Sequence, residues 1–138
     1  MSSARFLFVY GSLQSAFTRN PFARRLQREG ILIGRAMIPG RLYGLKRYPA
    51  LRRAQTSEDW VQGELYRLLQ PEVTLAALDA YEASEYRRVL GTVTLGDSRR
   101  VRCWVYLFSK PLPRHRRVAS GRWKDTGSCL KSALIDCR

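Results

Sequence analysis

The sequence predicts one domain, spanning 1–138, that mixes short β-strands with two helices, and three observations carry that prediction. Apolar residues come in short runs broken by Gly and Pro, as in "FLFVYGSL" at 6–13. Two stretches, from Pro21 and from Pro71, open with proline and carry apolar residues at helical spacing. The length of 138 residues is that of a single domain able to bury its own core without disulfides or metal.

Taken in order, "RFLFVYGSL" reads as a buried strand ended by Gly11, whose freedom at positive φ suits a tight turn with exposed backbone amides. Asn20 is placed to cap a helix that starts at Pro21, runs through Phe22 and Leu26, and stops at Gly30. "ILIGRAMIPGRLYGL" supplies two strand runs punctuated by Gly34, Pro39-Gly40 and Gly44, and "KRYPALRRA" is expected as a loop around Pro49. "WVQGELYRLL" at 60–69 is a further strand.

Pro71 opens the second helix, "PEVTLAALDAYE", with Glu72 in the first turn where the helix dipole favours an acid. At about 100° per residue Leu75, Leu78 and Tyr81 share one apolar arc. Glu82 falls inside it, so a carboxylate faces the core. Asp79 sits at the arc's edge, to bond either nearby backbone or an arginine. "RVLGTVTL" and "VRCWVYLF" flank Gly96-Asp97-Ser98 and make a hairpin. Val101, Cys103, Val105 and Leu107 line one side, and Trp104, Tyr106 and Phe108 the other, so both faces are covered. "KPLPRHRR" is a basic, proline-broken loop, followed by a turn at Ser120-Gly121 and room for a short helix from Ser128.

Composition narrows the function classes. No run approaches the roughly 18 apolar residues of a membrane span, and the N-terminal run is too short for a signal-peptide core, so a soluble, cytoplasmic protein is expected. Cys103, Cys129 and Cys137 form no CxxC pair and lie far from the single histidine, His115, which argues against a zinc site. Cys129 and Cys137 are either bridged or, in a cytosolic setting, free thiols. The net charge of +14 comes from 21 Arg and 4 Lys against 11 acids. Because the arginines are scattered in ones and twos, they read as a solvated basic surface, with non-specific contact to polyanions as the alternative.

Three features point to chemistry: the turn at Tyr10–Leu13, Glu82 on an apolar face, and the aromatic group Tyr86, Trp104, Tyr106 and Trp123. Each alone has a plain structural explanation. Together they fit a design that uses no metal, no cysteine and no histidine. A carboxyl group in apolar surroundings has its charged form disfavoured, which suits Glu82 to general acid–base work. Successive N–H groups of Gly11, Ser12 and Leu13 can hold a substrate carboxylate or a developing oxyanion. Ser12 is a poor nucleophile candidate, since no GxSxG elbow surrounds it and His115 lies in a basic loop.

The segments "FVYGSL", "IPGRLYGLKRYPAL", "VQGELYRL", "LDAYEASEYRRV", "CWVYLF" and "SGRW" follow one another in an order that resembles the gamma-glutamylcyclotransferase-like superfamily, including its AIG2-like and gamma-glutamylamine cyclotransferase members. The resemblance covers residues 5–124. It implies an α+β fold built on a small, mixed, barrel-like sheet with a few short helices, and conversion of a gamma-glutamyl amine or peptide into 5-oxoproline and free amine. Glu82 falls on the catalytic glutamate, and Tyr10, Gly11, Ser12 and Leu13 on the substrate-binding loop; Tyr86 and Tyr106 are expected in the pocket wall. The implied chemistry needs neither cofactor nor metal, and the expected partner is the small gamma-glutamyl substrate, with no membrane. Many relatives carry Gly after the glutamate and an acid in "SGDW", where this chain has Ala83 and Arg122; the added cation either favours an acidic leaving group or sits in solvent. A catalytically silent basic module on the same fold is the alternative function, and neither the amine nor the oligomeric state is specified.

Overall fold

Strand β1 (Phe6–Val9) is apolar at every position because both of its faces are covered. Leu7 and Val9 join a buried cluster with Leu26, Leu75, Leu78 and Tyr106. Phe8 and Tyr10, on the other side of the pleat, join a second cluster with Ile38, Leu65, Cys103 and Val105. The computed structural model describes residues 5–11, 13–45, 48–112 and 117–123. Along them follow α1 (Pro21–Glu29), β2 (Gly30–Pro39), β3 (Arg41–Leu45), β4 (Tyr48–Arg52), β5 (Trp60–Leu68), α2 (Pro71–Glu82), a short 3-10 turn (Ala83–Glu85), β6 (Tyr86–Leu95), β7 (Arg100–Phe108) and β8 (Arg117–Val118).

Five strands close a barrel in the order β1, β5, β2, β6, β7. Neighbours run antiparallel except where β1 meets β7, parallel, with Leu7 opposite Trp104. The fold is therefore the expected α+β arrangement on a mixed barrel. The second cluster fills the barrel, and the first lies between its wall and the helices. The remaining strands form a small sheet in the order β4, β3, β8.

The helices begin as the sequence indicates. Asn20 Oδ1 accepts from the N–H groups of Phe22 at 2.8 Å and Ala23 at 3.3 Å, a cap whose loss typically costs about 1 kcal/mol. α2 buries Leu75 and Leu78, each stabilising by roughly 1.5–3 kcal/mol, together with Thr74 and Glu82. Glu29 joins the two helices, accepting from Thr74 Oγ1 at 2.6 Å and from Arg25 Nε at 2.8 Å.

Residues 48–52, expected as loop, form β4 instead. Among the described residues this strand pairs only with β3 and so lies at a sheet edge, where proline's missing N–H interrupts no second ladder; Pro49 stands opposite Gly44. The helix expected from Ser128 lies outside the described residues, as do His115, Cys129 and Cys137.

One close approach governs the barrel. A Cβ on Gly63 would lie 2.2 Å from the Val9 carbonyl oxygen and 2.7 Å from the Phe8 ring, so only glycine lets β1 seat against β5 there.

A buried acid fastens the small sheet. Asp59 is 4% exposed, and its Oδ2 accepts from Arg41 Nε at 2.6 Å and from the N–H groups of Gln55 and Thr56 at 2.9 and 3.0 Å. Its Oδ1 accepts from Arg117 Nη2 at 2.9 Å, tying β8 to the same point. The Arg41 guanidinium holds this carboxyl well below the usual carboxylate range; burial opposes the shift and the two backbone N–H groups add to it. A carboxyl with a lowered folded pKa stabilises the fold above its unfolded value of about 3.9, and that contribution is lost as the pH falls through the folded value. Asp59→Asn should therefore lower Tm at neutral pH, with the deficit narrowing below about pH 4. Thermal unfolding of both proteins against pH checks this, and a pH-independent deficit contradicts it.

Candidate active site

Beyond the end of β1 the chain turns at Tyr10–Gly11. The Gly11 carbonyl accepts from both the backbone N–H and the side-chain amide of Gln14, each at 3.1 Å, which tightens the turn. Buried Glu64 on β5 then takes the N–H and the hydroxyl of Ser15, each at 2.7 Å. Glu64 lies opposite Val9 in the β1–β5 ladder, so the strand that carries the turn also anchors its far end.

α2 delivers its last residue, Glu82, to the same place, with the side chain 5% exposed. Tyr10, Gly11, Leu13, Glu82, Tyr86 and Tyr106 all line one cavity, and Phe8, Val9 and Pro49 complete its wall. Ser12 lies outside the described residues. The cavity is narrow, about 20 Å³, close to the room one water needs.

Hydrogen bonds fix the aromatic wall. Tyr10 donates to the Tyr106 carbonyl at 2.7 Å, and the Tyr106 hydroxyl donates to Asp79 Oδ1 at 2.7 Å. Arg88 grips the same carboxylate through Nε at 2.8 Å and Nη2 at 3.0 Å, and its guanidinium lies 4.3 Å over the Trp104 ring. Of the two roles open to Asp79, the arginine partner is the one adopted. Tyr86 donates to the Pro49 carbonyl, and its ring meets Phe108 edge-on at 5.4 Å.

Burial pushes the Tyr10 phenol well above its ordinary value, the nearby Glu82 carboxylate adds to the rise, and the Leu51 N–H opposes it. Burial also pushes Tyr106 far up, reinforced by its bond to Asp79 and that carboxylate's charge. Both phenols stay neutral at physiological pH. Among the described residues, Glu82 is then the one carboxyl lining a cavity otherwise built of apolar groups, backbone and phenols.

The four-membered aromatic group does not stay together. Trp104 packs under Arg88 on the outer side of the barrel, and Trp123 lines a separate cleft with Gln14, Arg35 and Glu64. Arg122 is exposed, donates to Gln62 Oε1 at 3.0 Å, and does not line the Glu82 cavity. Cys103 is buried in the barrel interior, and burial pushes its thiol up to about 12. Sequence reasoning missed Glu64 and Pro49. Glu64 follows Gly63 in a strand and finds its partner 49 residues away, a pairing with no local signal.

Residues 7–125 match the family model for gamma-glutamyl cyclotransferase, AIG2-like. The chain belongs to this family. Solved structures agree on the architecture. An AIG2-like protein from Mus musculus has a TM-score of 0.69 at 21% identity over 87% of this chain and 88% of its own. YkqA from Bacillus subtilis scores 0.67 at 22% identity over 86% of this chain, which spans only 39% of that longer protein. A gamma-glutamyl cyclotransferase scores 0.57 at 17% identity, over 77% of this chain and 67% of its own. At these identities the likeness is one of fold. A comparison with curated protein sequences finds no match. For this family member no helix among the described residues is long and apolar enough to cross a membrane.

The phenol environments are directly measurable. In an ultraviolet pH titration, Tyr10→Phe and Tyr106→Phe should leave the absorbance step near pH 10 unchanged, because neither native phenol ionises with the ordinary tyrosines there. A step reduced by one tyrosine in either variant contradicts the buried, hydrogen-bonded assignment.

Proposed function

We propose that the protein converts a gamma-glutamyl amine or peptide into 5-oxoproline and free amine, with Glu82 as its proton-transfer group. The observation that carries this reading is the buried Glu82 carboxyl sharing one cavity with Tyr10, Gly11 and Leu13, in a chain of the gamma-glutamyl cyclotransferase, AIG2-like family.

The reaction balances without water. The substrate's α-amine nitrogen attacks its own γ-carbonyl carbon, the new ring C–N bond forms, and the bond to the amine breaks. Glu82 takes the proton that the attacking nitrogen sheds and returns it to the departing nitrogen. Holding an intramolecular pair in near-attack geometry is worth roughly 7–11 kcal/mol over a bimolecular encounter, so positioning supplies much of the rate. The amides of Gly11, Ser12 and Leu13 are assigned to the substrate carboxylate or the oxygen that gains charge in the transition state. Tyr10, Tyr86 and Tyr106, each pinned by a hydrogen bond, wall the glutamyl chain. A cavity of about 20 Å³ is smaller than a glutamyl group, so its walls part on binding.

A silent basic module on the same fold is the second reading, favoured by the +14 charge; it predicts no turnover of any gamma-glutamyl compound. For the enzyme, Glu82→Gln keeps size and hydrogen-bonding capacity and cannot shuttle a proton. Formation of 5-oxoproline should drop by at least about 100-fold, the scale of losing a general base. Tm should hold or rise, since a neutral amide is cheaper to bury than a carboxylate. Near-normal turnover in this variant, or loss of its fold, overturns the assignment.

A further inference from the structure

Next to the Glu82 cavity lies a much larger cleft, about 690 Å³, and its wall is cationic. Arg52, Arg53 and Arg87 line it with Gln55, Ser109 and Phe108, and among the described residues no acidic side chain lines it. Elsewhere the described arginines that form ion pairs have a carboxylate to hold them: Arg25 with Glu29, Arg41 and Arg117 with Asp59, Arg88 with Asp79, and Arg99 with Asp97. The cleft arginines have no such partner among the described residues. Arg52 is pinned through Nη2 to the Lys110 carbonyl, while its buried Nε has no hydrogen-bond acceptor among them. Three guanidinium groups gathered without an acid repel one another, and an anion relieves that repulsion.

The two hollows share a partition. β4 runs from Pro49, in the wall of the Glu82 cavity, to Arg52, in the wall of the cleft, an interval of about 10 Å at 3.3 Å per residue. Tyr86 faces the cavity, Phe108 faces the cleft, and the two rings pack against each other edge-on. A gamma-linked dipeptide with its scissile bond at Glu82 would send its far carboxylate toward the cleft where this aromatic layer parts, and the long arginine side chains would cover the rest of the interval.

We propose that the Arg52–Arg53–Arg87 cleft is the subsite for a distal carboxylate on the leaving amine, so that the preferred substrates are gamma-glutamyl dipeptides with an acidic second residue. The inference rests on the cyclotransferase reading for its substrate and on the cleft alone for its anion. Gamma-glutamylglutamate and gamma-glutamylglutamine differ only at that distal group, so the ratio of their kcat/KM values isolates it. The intact chain should favour the glutamate compound by about tenfold or more, as expected for charge-assisted hydrogen bonds. The preference should weaken with added salt and fall toward unity in the double variant Arg53→Gln, Arg87→Gln. Equal kcat/KM values in the wild type, or an unchanged ratio in a folded double variant, overturn the subsite. If neither compound is turned over, calorimetry with the same two dipeptides decides the cleft by itself, and the cyclotransferase reading is decided separately by turnover of other gamma-glutamyl amines. Tighter binding of gamma-glutamylglutamate that the double variant loses supports it, and equal or absent binding refutes it.

Discussion

The seating of β1 against Gly63 is the contact on which the rest of the structure depends. The Val9 carbonyl passes where any side chain on residue 63 would begin. That approach lets β1 sit between β5 and β7 and close the barrel. The same strand ends in the turn at Tyr10–Gly11, and Glu64, one residue past the glycine, holds Ser15 beyond that turn. Barrel closure and site geometry are thus set at one crossing, and a methyl group at 63 would disturb both through overpacking, a class of change that costs about 1–3 kcal/mol and sometimes more.

Much of this was legible in the sequence where the determining physics is local. The bounds of α2 follow from Pro71 and the apolar arc, and the arc also told that Glu82 faces inward, as its 5% exposure shows. Strand alternation assigned Cys103, Val105 and Leu107 to one side of β7 and Tyr106 and Phe108 to the other, and the two buried clusters divide along that line. What was not legible depends on partners distant in the chain. Pro49 marks a loop by propensity and becomes edge strand because β3 supplies its ladder. Asp59 gathers Arg41 and Arg117, and no spacing rule announces a carboxylate shared across 58 residues. Tyr86, Trp104, Tyr106 and Trp123 looked alike as aromatics in or near strands, yet the barrel sends only the two tyrosines to the Glu82 cavity.

The charge of the chain has a structure of its own. Acids are scarce, and several described ones hold two elements together, as Asp59, Asp79 and Glu29 do. Asp79 is partly exposed, and although burial opposes it, its bonds to Arg88 and Tyr106 bring its carboxyl below the ordinary range. That keeps it an anion able to hold the Tyr106 hydroxyl in place. Scarcity of acids also explains how a cleft such as that of Arg52, Arg53 and Arg87 is left cationic beside the cavity that Glu82 lines.

The central claim is that the glutamyl γ-carbonyl is attacked by the substrate's own amine and never by water. Turnover of a gamma-glutamyl dipeptide in ¹⁸O-labelled water, followed by mass spectrometry, reads that step directly. The account predicts unlabelled 5-oxoproline released one for one with the free amine, because no solvent oxygen enters the product. Free glutamate carrying ¹⁸O in its γ-carboxyl would show hydrolysis instead and would contradict the account.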